Sequence, residues 1–180
     1  MAELQQATLA GGCFWCLDAV FSQLEGVASV ECGYANGQIE HPDYEQVCTG
    51  QTGHAEVIRL AFDPALIDYR TMLGVFFSIH DPTTLNRQGH DVGTQYRSAI
   101  YWHDAEQERV ARELVDELTR DGVFDASLVT ELAPLRSYYP AEPEHQRYFE
   151  RHSHQGYCAY VIAPKVQHFR QQYASRLRRV

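Results

Sequence analysis

No run of the 180-residue chain approaches the ~20 consecutive apolar residues of a membrane-spanning helix. The first ten residues, MAELQQATLA, have no basic stretch leading into an apolar one. The expectation is a cytoplasmic protein with no membrane span. Clustered positive charge is also missing: 15 Lys and Arg stand against 24 Asp and Glu, a formal charge of −9. Phosphate backbones need the opposite sign gathered on one face, so a general nucleic-acid partner is excluded. The local exception is the tail, where Lys165, Arg170, Arg176, Arg178 and Arg179 leave about −14 on residues 1–164. Val166, Phe169, Tyr173 and Leu177 recur there at helical spacing, which reads as a solvated amphipathic helix with its apolar side on the body. Neither a hinge nor a low-complexity stretch interrupts the chain. One domain over 1–180 is expected, with a core of about 3–135 and a wrapping segment 136–180. The five cysteines, at 13, 16, 32, 48 and 158, are odd in number and irregular in spacing. That is no secreted disulfide framework, and in a reducing compartment such thiols catalyse, change redox state or bind metal.

What is present is concentrated in Gly11-Gly12-Cys13-Phe14-Trp15-Cys16, two thiols three positions apart with two large aromatics between them. Thr8 to Ala10 reads as a strand end, the glycine pair as a tight turn, and Phe14, Leu17, Val20, Phe21 and Leu24 as the buried side of a helix stopped by Gly26. Cys13 then stands at a helix N-terminus. Free N–H groups and the helix dipole favour an anion there, so its thiolate is expected to be more populated than at a free cysteine's pKa of about 8.5.

Downstream, Ala28, Val30, Cys32 and Tyr34 alternate as a second strand that points Cys32 into the core. A turn at Asn36-Gly37 leads into a loop with one short helix near Tyr44 to Cys48. His54 to Phe62 reads as a strand with Ile58, Leu60 and Phe62 on one face and Glu56 on that same face, a carboxyl at the rim of an apolar surface. Desolvation would raise its pKa and fit it to donate a proton. A helix marked by Tyr69, Met72, Leu73, Phe76, Phe77 and His80 follows, then a long polar loop from His80 to Gln95. Tyr96, Ser98, Ile100 and Trp102 alternate as another strand, Asp104 caps a helix to Arg120, and Leu128 to Ala133 reads as the last strand. The order is that of an α+β, ferredoxin-like βαββαβ two-layer sandwich with an appended helix and strand and a long irregular C-terminal segment.

Three chemistries compete for the cysteines. Zinc would need a second close ligand pair, and none of standard spacing follows Cys13 and Cys16. A thioredoxin-like carrier also places two thiols at a strand-to-helix junction, but the plait order and the bulky Phe14-Trp15 do not suit it. A thiol enzyme explains more, with Cys13 as nucleophile, Glu56 as acid and Phe14-Trp15 as the substrate's apolar holder.

Four motifs then stand in order: Gly11 to Trp15; Tyr44-Glu45-Gln46-Val47-Cys48-Thr49-Gly50 with Thr52-Gly53-His54-Ala55-Glu56; His80-Asp81-Pro82-Thr83-Thr84; and Gly93-Thr94-Gln95-Tyr96-Arg97-Ser98. With these the chain resembles the A-type peptide methionine sulfoxide reductases over nearly its whole length. The resemblance implies reduction of methionine S-sulfoxide, free or in peptides, as repair after oxidation. It implies a Cys13 sulfenic acid, a disulfide recycled by thioredoxin or another dithiol, no bound cofactor or metal, and a monomeric chain. It makes Phe14 and Trp15 the walls around the substrate methyl, Glu56 the acid, and Tyr44, Asp91 and Tyr96 the polar groups about the sulfoxide oxygen. Relatives commonly keep a resolving thiol where Cys158 falls, and Cys158 is preferred to Cys16 because a mobile tail adapts to disulfide geometry more readily than a helix turn. Cys48 reads as packed near the pocket, and His90, where relatives often have Asn, as an exposed side chain. A non-catalytic redox relay or methionine-binding module using the same pocket is the other class left open.

Overall fold

The computed structural model describes residues 3–179. Strand β1 (Gln5–Gly11) is buried over its last five residues because it lies inside the sheet, between β3 and β6. Helix α1 (Phe14–Phe21) begins after Cys13 and stops at Ser22, short of the expected Leu24. Leu24 instead bridges to Leu177, and Gly26, at φ +95°, turns the chain into the next strand rather than capping the helix.

Strand β2 (Val27–Ala35) runs antiparallel to β3 (Ala55–Phe62), pairing Cys32 with Ile58 and Tyr34 with Glu56. A register shift between Val27 and Ser29 leaves Ala28 in solvent. Between these strands the short helix α2 (Tyr44–Cys48) is nucleated by a capping box: Asp43 accepts the Gln46 N–H and Gln46 accepts the Asp43 N–H. Helix α3 (Tyr69–Ile79) starts on Asp68, whose carboxylate accepts the Thr71 N–H.

The polar loop after α3 holds a two-residue hairpin, β4 (Arg87–Gln88) with β5 (Asp91–Val92). Tyr96, expected to open a strand, lies instead in a 3-10 turn over Thr94–Tyr96, its N–H bonded to the Gly93 carbonyl at 3.0 Å. Strand β6 (Ser98–Trp102) begins two residues later. Helix α4 (Ala105–Arg120), capped by Asp104, leads to β7 (Glu131–Pro134), which starts after the expected Leu128 because the Val129 N–H is taken by the Pro82 carbonyl outside the sheet.

The C-terminal segment is more ordered than its irregular composition suggests. It contains β8 (Tyr138–Pro140), α5 (Tyr148–His152), a π-helical turn at Cys158–Ile162 and α6 (Ala163–Gln172). Beyond β8 the Gln146 side chain imitates a strand residue. It accepts the Cys32 N–H at 2.8 Å and donates to the Cys32 carbonyl at 3.0 Å, so edge pairing continues without a strand. Val166 and Phe169 of the tail are buried against the body as expected, but α6 stops at Gln172, short of Tyr173 and Leu177, and Arg170 is not merely solvated, donating to the Gln23 side chain at 2.7 Å.

The six strands are ordered β7-β6-β1-β3-β2-β8, all antiparallel except β6 with β7. Helices α1, α3, α4 and α6 bury residues in one cluster with Leu9, Ile58 and Leu60 of the sheet. The opposite sheet face is lined mainly by small residues, Ala10, Ala35, Ala55 and Ala99. The architecture is mixed α+β. No helix among the described residues is long and apolar enough to cross a membrane.

Candidate active site

The loop between β1 and α1 is built around Gly12, whose φ of +93° disfavours any side chain. A Cβ there would also lie 2.6 Å from Gln88 Cγ. Gln88 is itself fixed, accepting the Asp81 N–H at 2.9 Å. Under the loop, His80 contacts the Phe76 carbonyl through Nδ1 at 2.6 Å and Ser98 Oγ through Nε2 at 2.8 Å. Burial pushes His80 down to about 4, so the floor of the site is neutral.

Cys13 caps α1 and Cys16 sits one turn on, its backbone N–H donating to the Cys13 carbonyl at 3.1 Å; both side chains are buried and line one cavity. The expectation of a ready Cys13 thiolate is corrected. Burial, reinforced by Cys16 and Glu56, holds the Cys13 thiol well above the usual cysteine range, because desolvation outweighs what an eight-residue helix offers. Cys16 is displaced the other way: the neighbouring Cys13 thiol lowers it against its own burial, and Lys165 and Tyr157 help.

Glu56 projects from β3 into this same layer, as its place beside Ile58 and Leu60 required. Its Oε1 accepts the Phe14 N–H at 3.1 Å, while Oε2 is buried without a protein partner. Burial raises the carboxyl to about 8, against the lowering pull of that one N–H. It is an acid that keeps its proton at neutral pH.

Above the thiols stand the aromatics. Tyr44, at the first turn of α2, has its ring 6.4 Å from Phe14 and 6.3 Å from Trp15. Trp15 stacks on Tyr148 at 3.8 Å and donates its indole N–H to His145 Nδ1 at 3.3 Å. Tyr96 is half-buried near Glu56, and burial first, then Glu56, raises its hydroxyl above the usual range. The same two causes raise Tyr44. Asp91 on β5 accepts the Tyr157 O–H at 2.6 Å. Two cavities open here: one of about 840 Å³ lined by Trp15, Tyr44, His145 and Tyr148 with the charged Asp43, Glu45, Glu142, Glu144 and Arg151, and one of about 680 Å³ lined by Cys13, Cys16, Asp91, Tyr157 and Lys165.

The structure thus brings Cys13, Cys16, Phe14, Trp15, Tyr44, Glu56, Asp91 and Tyr96 together. Cys158 is close by but lines neither cavity; it is buried in the π-helical turn, raised by that burial and then by Cys16. Cys32 is buried in the core, and His90 is exposed at a cavity rim. Cys48, read as packed, is exposed instead, because α2 turns Val47 rather than Cys48 inward. Sequence reasoning missed Glu142, His145, Tyr148, Tyr157 and Lys165. The run of Tyr and His after Leu135 was the available signal, but it does not say which of them reach back. Glu142 does so by accepting the Tyr34 O–H at 2.9 Å and the Tyr44 N–H at 3.1 Å. Among the described residues, Glu142, Glu144 and His145 form the cluster with metal-ligand spacing. Since His145 Nδ1 accepts from Trp15, its Nε2 carries the proton and has no lone pair for an ion.

Paired buried thiols, an uncharged acid and an aromatic wall on an α+β scaffold define a thiol-dependent oxidoreductase. The sequence model of the peptide methionine sulfoxide reductase family matches residues 5–177, and the chain belongs to that family. A peptide methionine sulfoxide reductase MsrA from Polynucleobacter asymbioticus is 53% identical over 175 residues, 97% of this chain and 92% of that protein. The MsrA of Deinococcus radiodurans is 52% identical over 98% of this chain and 86% of its own length. Among solved structures, Mxr1 from Saccharomyces cerevisiae in reduced form superposes with a TM-score of 0.79 at 32% identity, covering 87% of this chain and 90% of that one.

Proposed function

We propose that this chain reduces methionine S-sulfoxide, free or in peptides, with Cys13 as nucleophile and Glu56 as proton donor. The observation that carries the reading is the Glu56 carboxyl, anchored through Oε1 to the N–H next to Cys13 and protonated to about pH 8. The sulfoxide methyl lies against Phe14 and Trp15, and its oxygen faces Glu56, Tyr44, Tyr96 and Asp91. Cys13 gives its proton to Cys16 and its sulfur attacks the sulfoxide sulfur. The oxygen, gathering negative charge, takes the Glu56 proton and hydrogen bonds from the tyrosines. The oxygen passes to Cys13 as sulfenic acid and methionine leaves.

Cys16 then resolves the sulfenic acid. Cys13 and Cys16 line one cavity a helical turn apart, whereas Cys158 lines neither cavity and is buried in the π-helical turn, which supports Cys16 over the preference drawn from sequence. A thioredoxin-type dithiol returns the pair to thiols by exchange. No other cofactor enters the scheme. The order β6-β1-β3-β2 with α1 and α3 as crossovers supports a ferredoxin-like plait, to which α4, β7 and the wrapping segment are added in one domain. The odd, irregular cysteine set supports residence in the reducing cytoplasm.

The test is incubation with S- and R-methionine sulfoxide plus dithiothreitol. Methionine from the S epimer alone is expected. If neither epimer yields methionine while Cys13 stays a free thiol, the enzyme reading fails and a binding module replaces it.

A further inference from the structure

The chain contains a single lysine, Lys165, and it lines the 680 Å³ cavity beside Cys13 and Cys16. Buried Ile162 and Val166 pin that stretch against the body, so the ammonium is delivered to the cavity by packing. The helix dipole gives no reason for a cation there, because the chain is helical without a break from Gly156 through the π-helical turn into α6 and Lys165 lies inside that stretch. No ion pair among the described residues engages it.

We propose that Lys165 is the positioning residue of the second half-reaction, holding the Cys16 sulfur ionised and turned toward Cys13 while the disulfide closes. This rests on Cys16 being the resolving thiol. Around the Cys16 sulfur stand Cys13 from the preceding loop, Tyr157 just before the π-helical turn and Cys158 within it, Asp91 from β5, Glu56 from β3 and Lys165. The cavity adds His80, held neutral, exposed His90, and the carboxylates of Asp81 and Asp125. Lys165 is the one Lys or Arg in its lining.

The need for it arises after the first step. In the resting pair the Cys13 thiol favours the Cys16 anion, but once Cys13 is a sulfenic acid its sulfur carries no proton to do so. Asp91 and burial then oppose the anion, and the ammonium is left with Tyr157 to favour it. In the closing step Cys16 releases its proton, its sulfur attacks the Cys13 sulfur and the S–O bond breaks. The departing hydroxide recovers a proton and leaves as water, so a thiol and a sulfenic acid become a disulfide and water.

The experiment is a partition. Enzyme is given one equivalent of methionine sulfoxide without reductant, in the presence of dimedone, from pH 6 to 10. The ratio of Cys13–Cys16 disulfide to dimedone-trapped Cys13 is read by mass spectrometry. That ratio does not depend on how fast the sulfenic acid forms. Lys165→Met, checked for fold by circular dichroism, should move the midpoint of the profile up by about one pH unit and lower the ratio about tenfold at pH 7. Lys165→Arg should restore both. A wild-type midpoint in the methionine variant overturns the assignment to Lys165 alone. Wild-type enzyme that links Cys13 to Cys158 and never to Cys16 overturns the resolving-thiol reading as well.

Discussion

The two sides of the Cys13–Cys16 pair are built from different materials. On one side Phe14, Trp15, Tyr44, His145 and Tyr148 stack into an aromatic wall, its cavity also lined by Asp43, Glu45, Glu142, Glu144 and Arg151. On the other, Asp91, Asp81, Lys165 and Tyr157 surround the thiols with charge and hydroxyl. A neutral sulfoxide with one small methyl needs apolar contact and a few aimed donors, whereas thiol exchange needs a thiolate and groups that stabilise it. On the proposed scheme one site serves two half-reactions, and Cys13 is the group whose sulfur reacts in both.

The comparison breaks most completely at that shared group. Cys13→Ser should give no detectable methionine from either epimer, measured by amino-acid analysis. Next comes the acid on the substrate side: Glu56→Gln should lower kcat/KM by about 10²–10⁴-fold. The wild-type rate should fall as pH rises through about 8, because Glu56 loses its proton there, and this alkaline limb should vanish in the variant. Wild-type stability should fall with pH as well. An acid raised to about 8 in the folded chain stabilises it at low pH, and that contribution is lost as pH climbs from the ordinary carboxyl range to about 8. Thermal unfolding should therefore find Glu56→Gln more stable than wild type at pH 8 and level with it near pH 4. Wild-type rates in this variant would remove Glu56 as the donor.

On the thiol side, Cys16→Ser should stop after about one methionine per chain when a thioredoxin-type dithiol is the reductant, as read by methionine yield. The smallest effect falls on the aromatic wall. Trp15→Ala should raise KM about tenfold with a smaller change in kcat, because the indole supplies apolar contact more than charge stabilisation. A loss confined to kcat would put Trp15 in the chemistry instead and blur the division between the two sides.

Much of the substrate side was legible in the sequence. Period-two alternation put Glu56 on the face of Ile58 and Leu60, and spacing put the start of the active helix at Cys13. The ionisation of that cysteine was not legible, since a helix start is visible in sequence but desolvation depends on what folds over it. Tyr96 fell in a turn because its N–H answers a carbonyl three residues back, which outweighed the alternation that follows. The thiol side was mostly hidden. Tyr157 meets Asp91 across 66 positions, and Gln146 joins the sheet edge through its side chain, where no backbone period could announce a strand.

The Phe14 N–H that anchors Glu56 belongs to the peptide next to the nucleophile. The spacing of acid and sulfur is therefore a local measure, set by one peptide unit of the loop and insensitive to how well the distant C-terminal segment is seated. The aromatic wall has the reverse dependence, because Tyr148 and His145 arrive from more than 100 residues away. Warming that loosens long-range packing should accordingly erode grip before chemistry: recognition of the methyl group decays first, and the proton remains poised beside the sulfur until the sheet itself gives way.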